Sequence, residues 1–155
     1  LASGSMSLAE RLKVLGLVLP EVAKPVASYI PARLSVGLIY TSGQLPLKDG
    51  QLLHSGPLQR EDQVMAAALA AEQCFLNALA AAMQLEAALA GVVKLTVFVS
   101  SGPEFVWQHR VANGASNLAQ KIFAEGGQHA RSAVGVSSLP LNASVEVEAI
   151  FAAEN

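Results

Sequence analysis

Residues 130 to 148 read ARSAVGVSSLPLNASVEVE, which sets three charged side chains, Arg131, Glu146 and Glu148, among small and apolar neighbours. Charges in such company are costly to desolvate unless they are paired or used. An arginine fork takes a carboxylate through two parallel N–H bonds, and a glutamate can orient a water or carry a proton. Two accounts fit these residues. In one, Arg131 forms a structural ion pair with Glu146 or Glu148 and the remaining carboxylate is solvated. In the other, Arg131 grips a substrate carboxylate and Glu146 handles water or a proton. Glu146 and Glu148 are two apart and project from one face of a strand. They repel, so at least one must sit in water, near Arg131, or with a raised pKa. Arg131 shares its face with Ala133 and Gly135, a shallow floor beside the guanidinium, while Val134 and Val136 point the other way.

Other chemistries find little support. The three histidines, His54, His109 and His129, are scattered, and no Ser-His-Asp or Cys-His set accompanies them. They supply no metal-ligand cluster either, so no metal is expected. Cys74, the single cysteine, lies in an alanine-rich helical stretch and reads as a small buried hydrophobe in a reducing compartment. Phe105 and Trp107 open a helical region and read as packing residues rather than a base-stacking platform. The net charge is −2 and no window clusters Lys and Arg, which argues against nucleic acid as a partner.

The mean hydropathy is positive, but charge-free runs such as Gln73 to Leu85 fall short of the roughly 18 apolar residues of a membrane span. No export signal is evident, so the expectation is a soluble, cytoplasmic protein. Charged residues are only 14% of the chain, below the roughly one quarter of an average soluble protein. So little solvating surface per subunit suggests oligomerisation. The opening LASGS reads as a tag remnant, and residues 6–155 as one domain with a core of its own.

Several elements must position these charges. Ser7 with Glu10 forms a capping-box pattern, and Leu8, Leu12, Leu15 and Leu19 recur at helical spacing up to Pro20. Ala32 to Val36 and Leu38 to Leu45 read as strands turning at Gly37, with a second turn at Asp49-Gly50. Arg60 to Ala88 predicts the main helix, stopped at Gly91. Its apolar residues surround the cylinder, so burial on more than one side is expected. Val92 to Ser100 is a strand, and a second helical region starts at Ser101, breaks near Asn113-Gly114 and stops at Gly126-Gly127. Ala130 to Val136 and Ser144 to Phe151 are the last strands. Two helices crossing between strands would cover one face of a mixed sheet and leave an apolar face for sister subunits.

The segment ARSAVGVSSLP followed by VEVEAI closely resembles the signature of the Rid family, also called YjgF-like proteins or L-PSP endoribonucleases. YTSGQLPL at Tyr40 to Leu47 resembles the S-G-Q-hydrophobic-P stretch of that family, and VVKLTVFVSS at Val92 to Ser101 its central strand. The match runs over roughly residues 28 to 152 in the element order just described. The resemblance implies an α+β, chorismate-mutase-like mixed sheet with two helices on one face, here with a short N-terminal helix, assembled as a homotrimer with ligand clefts between subunits. It implies cofactor-free hydrolysis of 2-imino acids and their enamine tautomers to 2-oxo acids and ammonia. By position Arg131 matches the carboxylate-holding arginine and Glu146 the water-positioning glutamate. Tyr29, Ser42, Gly43 and Ala133 match the cleft wall. A non-enzymatic trimer binding a small carboxylate or a partner is the alternative, followed by an endoribonuclease or translation inhibitor.

Departures from the pattern bear on the cleft. Ala133 stands where deaminase members commonly carry cysteine, Gly135 where many carry glutamate, and SYIPAR surrounds Tyr29 in place of the usual Gly-Pro-Tyr. The segment HRVANGASN holds extra residues, which leaves Asn113 and Asn117 unassigned to the cleft. Glu148 has no assigned role, and His129 reads as a solvated strand-end histidine.

Overall fold

A computed structural model describes residues 6–154 apart from Ala23 and Val26, so the reading of LASGS lies outside the described residues. The capping box forms as expected: the Ser7 hydroxyl accepts from the Glu10 amide and starts α1, Leu8–Val14. This helix ends five residues before Leu19, because Gly16 adopts φ +72° and turns the chain out of the helix. Leu12 is buried and Leu8, Leu15, Leu17 and Leu19 pack on the core edge.

Strands β1 (Ala32–Ser35) and β2 (Leu38–Thr41) make a hairpin through Val36 and Gly37, both at positive φ, the geometry that matches strand twist. Asp49-Gly50 repeats the device between β3 (Leu47–Lys48) and β4 (Gln51–Leu52). A 3₁₀ turn, Glu61–Gln63, leads into α2, Val64–Met83. Then come β5 (Leu89–Ser100), α3 (Gln108–Phe123), β6 (Ala130–Val136) and β7 (Val145–Ala153). The main sheet runs β1-β2-β7-β5-β6, with β5 and β6 parallel across α3 and the other pairs antiparallel. This is the α+β mixed sheet with two principal helices.

Ile39, Leu95, Val97, Val99, Val145, Val147, Ala149 and Phe151 form the face under α2 and α3, and all are buried. The other face carries Tyr40, Phe98, Val134 and Ile150 beside Glu146, Glu148, Lys94, Thr96 and Ser132, as the register requires. It is the uncovered face anticipated from the pattern, more polar than expected. Alanines let α2 bury almost all round, leaving only a stripe at Met65, Ala66 and Leu69 exposed. Glu61–Met83 is long and apolar enough to span a membrane by composition, exceeding the charge-free run alone, yet most of it is buried inside the fold.

Three sequence signals play parts other than those expected of them. Helix α2 ends at Met83, short of the expected Ala88, and Gly91 belongs to β5, where it packs so closely that a Cβ would overlap the Gly126 carbonyl. Ser101 does not cap α3: its hydroxyl donates to the Val99 carbonyl at 2.8 Å, and the helix begins only at Gln108. Asn113-Gly114 does not interrupt α3. At Gly114 the helix crosses α2 so closely that a Cβ would overlap the Ala68 carbonyl.

Candidate active site

Strand β2 was expected to reach Leu45 but stops at Thr41. The Thr41 hydroxyl takes the Ala149 amide at 3.0 Å, and the pairing resumes at Gln44 with Val147. Ser42 and Gly43 thus bulge opposite Glu148 alone. The bulge accommodates Glu146: a Cβ on Gly43 would lie 2.8 Å from that carboxyl carbon, so the carboxylate rests directly over the glycine and would have to shift for any larger residue. Ser42 ties this place to the Tyr29 segment, its hydroxyl donating to the Ile30 carbonyl at 2.6 Å and its amide to Pro31 at 2.8 Å. Tyr29 is exposed and lines one groove with Gly43 and Pro31. The fold therefore gathers Tyr29, Ser42, Gly43 and Glu146.

Glu146 is half-buried beside exposed Glu148. Burial, and secondarily the Glu148 charge, push its carboxyl above the usual value. This is the outcome required of two carboxylates on one strand face, with one solvated and the other raised.

Arg131 lies elsewhere. It pairs in register with Leu95, whose side chain is under the helices, while Glu146 pairs with Phe98 on the uncovered face. With β5 between them and opposite faces presented, one chain cannot bring Arg131 to Glu146 or Glu148. The intrachain ion pair is thereby overturned, and among the described residues the salt bridges are Arg60–Asp62 and Arg110–Glu61. Arg131 instead meets neutral acceptors on α3. Nη1 donates to Asn113 Oδ1 at 2.8 Å and Ser116 Oγ at 3.1 Å, and Nη2 to the His109 carbonyl at 3.2 Å. Three of five guanidinium N–H groups are used, leaving Nε–H and one Nη2–H, with the positive charge unneutralised.

Ala133 and Gly135 continue this face of β6. A Cβ on Gly135 would come within 2.8 Å of Gln108 Nε2, so the Gln108 amide, bonded to Ser101 Oγ and the Phe105 carbonyl, closes that end of the floor. Gln108 and Ser116 were missed in the sequence; the helical spacing of His109, Asn113 and Ser116 was the available signal. Asn113 reaches Arg131, whereas Asn117 is exposed with no such bond. His129 is not a solvated histidine: both ring nitrogens are hydrogen-bonded, to Ser116 Oγ and the Gly127 carbonyl.

The remaining reactive types are structural. Cys74 is fully buried, which pushes its thiol pKa well up. His54 Nδ1 lies 2.7 Å from Ser144 Oγ, but Ser144 is fully buried and donates to the Gly56 carbonyl, so it is no nucleophile. Phe105 is buried with Trp107 edge-on against it, as packing residues should be. Among the described residues no group of three His, Cys, Asp or Glu could hold a metal ion.

The family model described as Endoribonuclease L-PSP matches residues 20–153. The chain belongs to the L-PSP family. Membership expected from the three sequence segments is thus borne out, together with the α+β architecture. One relative, Protein TCP17 of Trypanosoma cruzi, is 41% identical over 161 residues, covering 99% of this chain and 98% of the relative. The 2-iminobutanoate/2-iminopropanoate deaminase of Dermatophagoides farinae is 30% identical over 137 residues, covering 87% of this chain and 93% of that protein. The crystal structure of the Agrobacterium tumefaciens protein Atu1372 superposes with a TM-score of 0.84 at 44% identity, covering 96% of this chain and 94% of that one.

Proposed function

We propose that this L-PSP member hydrolyses small 2-imino acids to 2-oxo acids and ammonia, in clefts built between the subunits of a homotrimer. One observation carries the reading. Two prepared half-sites, Arg131 with unused donors and Glu146 with a raised pKa, lie on opposite faces of one sheet. A second copy can supply the missing half to each. The named deaminase relative, at 30% identity, supports the same chemistry.

An imine carbon is already electrophilic, so the protein need only orient it and manage protons. Arg131 Nε–H and Nη2–H hold the substrate carboxylate. Glu146, ionised, takes a proton from water as the oxygen bonds to the imine carbon, and passes that proton to the nitrogen. The carbinolamine then collapses: Glu146 takes the hydroxyl proton and delivers it to the nitrogen, the C=O forms, the C–N bond breaks and ammonia departs. A carboxyl with a raised pKa suits both directions of this proton traffic. Ala133 and the Gln108-capped Gly135 leave a small floor for the substrate side chain.

Arg131→Ala is expected to lower kcat/KM about a hundredfold or more, because charge-assisted hydrogen bonds to the carboxylate are lost. The assay couples the protein to an amino-acid oxidase that generates 2-imino acids and follows 2-oxo acid release. Wild-type release no faster than buffer, with 2-oxo acid binding that needs Arg131, would convert the reading to a metabolite-binding trimer. RNA cleavage that survives Arg131→Ala would not belong to this site. Light scattering should give three times the chain mass of 16.1 kDa. A monomer would remove the shared cleft.

A further inference from the structure

We infer that His129 is a positioning residue, acting through Ser116 to hold the Arg131 guanidinium where it receives a carboxylate. The inference rests on the carboxylate-binding role of Arg131 proposed above and extends it to two residues outside the matched motif.

The hydrogen bonds have a direction. His129 Nδ1 faces the Gly127 carbonyl at 2.6 Å, and a carbonyl only accepts, so Nδ1 carries hydrogen. In the neutral ring Nε2 is then the acceptor, 2.8 Å from Ser116 Oγ. Ser116 has one hydroxyl hydrogen, and spending it on His129 turns its lone pairs toward Arg131 Nη1 at 3.1 Å. Without His129 that hydrogen would turn to a carbonyl of its own helix, the usual recourse of a helical serine. Its lone pairs would then turn away from Arg131.

Both ends of the relay are anchored. Ser116 is buried on α3, two residues past the close crossing at Gly114. Gly127 is buried against the Ala119 carbonyl, where no Cβ fits, so the group that orients His129 is fixed by packing. Asn113, the other Nη1 partner, is exposed. A single exposed contact would let the guanidinium plane swing, and the buried Ser116 contact fixes it. A histidine that merely held the Gly127 turn would need no bond from Nε2.

The test uses the full-length chain, titrated with 2-oxobutanoate by calorimetry and assayed with 2-iminobutanoate generated in situ. His129→Leu keeps bulk and removes both polar atoms; His129→Gln can still accept from Ser116. His129→Leu is expected to weaken 2-oxobutanoate binding and raise KM about threefold to tenfold, the scale of one lost hydrogen bond, with kcat nearly unchanged. His129→Gln should restore most of this. Ser116→Ala should weaken binding at least as much, and adding His129→Leu to it should cost nothing further, since both act on one path. Wild-type binding by His129→Leu beside a defective Arg131→Ala overturns the inference and spares the parent reading. Additive single effects, or equal failure of Gln and Leu with lowered melting temperatures, also overturn it. Arg131→Ala binding as wild type would instead sink the parent reading.

Discussion

Glu146→Gln is expected to lower imine turnover by about 10²- to 10⁴-fold, the scale of general acid–base catalysis, while making the folded protein more stable at neutral pH. Glutamine keeps the size and the contacts with Gly43 but cannot accept a proton from water. The stability gain follows from the pKa. Burial first, then the Glu148 charge, hold the Glu146 carboxyl above the ordinary 4.5 that it regains on unfolding. Between the two values the folded chain binds more protons than the unfolded one, so stability falls as pH rises. The contribution is complete below the ordinary value and lost once pH passes the raised one. The variant carries no such group. Its melting temperature should therefore exceed that of wild type at about pH 7.5 and approach it near pH 4. A lower melting temperature at neutral pH would mean that a cation already satisfies the carboxylate in the assembly.

The second large effect lies in the fold. Gly114→Val is expected to destabilise by about 3 kcal/mol, the upper end for overpacked cores, lowering the melting temperature by roughly 6–12 °C for a chain of this size. A Cβ at position 114 would overlap the Ala68 carbonyl, and a backbone carbonyl cannot rotate away as a side chain can. The α2 and α3 helices would have to separate, which also moves Asn113 and Ser116 from Arg131. Gly114→Ala should show a milder form, because alanine recovers about 1 kcal/mol of helix propensity. Thermal melts of both variants beside 2-oxobutanoate titration test the link. A Gly114→Val protein that melts and binds as wild type would refute the tight crossing.

Much of this architecture is written in local chemistry. The Ser7 capping box, the hairpin turns at Val36-Gly37 and Asp49-Gly50, and strands β6 and β7 follow from caps, positive φ and alternation, all acting within a few residues. Glu146 beside Glu148 was legible for the same reason, since strand period alone puts two carboxylates on one face. The family followed from three short segments, because residue types at fixed spacing within a strand or turn can be read directly from the sequence.

What the tertiary structure alone decided depends on contacts distant in sequence. Glycine looks the same as a helix stop, a helix break or a close crossing; Gly91 and Gly114 are close approaches because Gly126 and Ala68 arrive there from elsewhere in the chain. The side of the sheet is equally invisible locally. Alternation says that Arg131 and Glu146 each share a face with their neighbours, but not which face α2 and α3 cover. Only the β7-β5-β6 order and its register set the two charges apart, which rules out the intrachain ion pair that the sequence left open. Likewise Ser116 and His129 are unremarkable as letters. Packing α3 against β6 joins them to Arg131, because hydrogen-bond direction exists only once donors and acceptors from three elements meet.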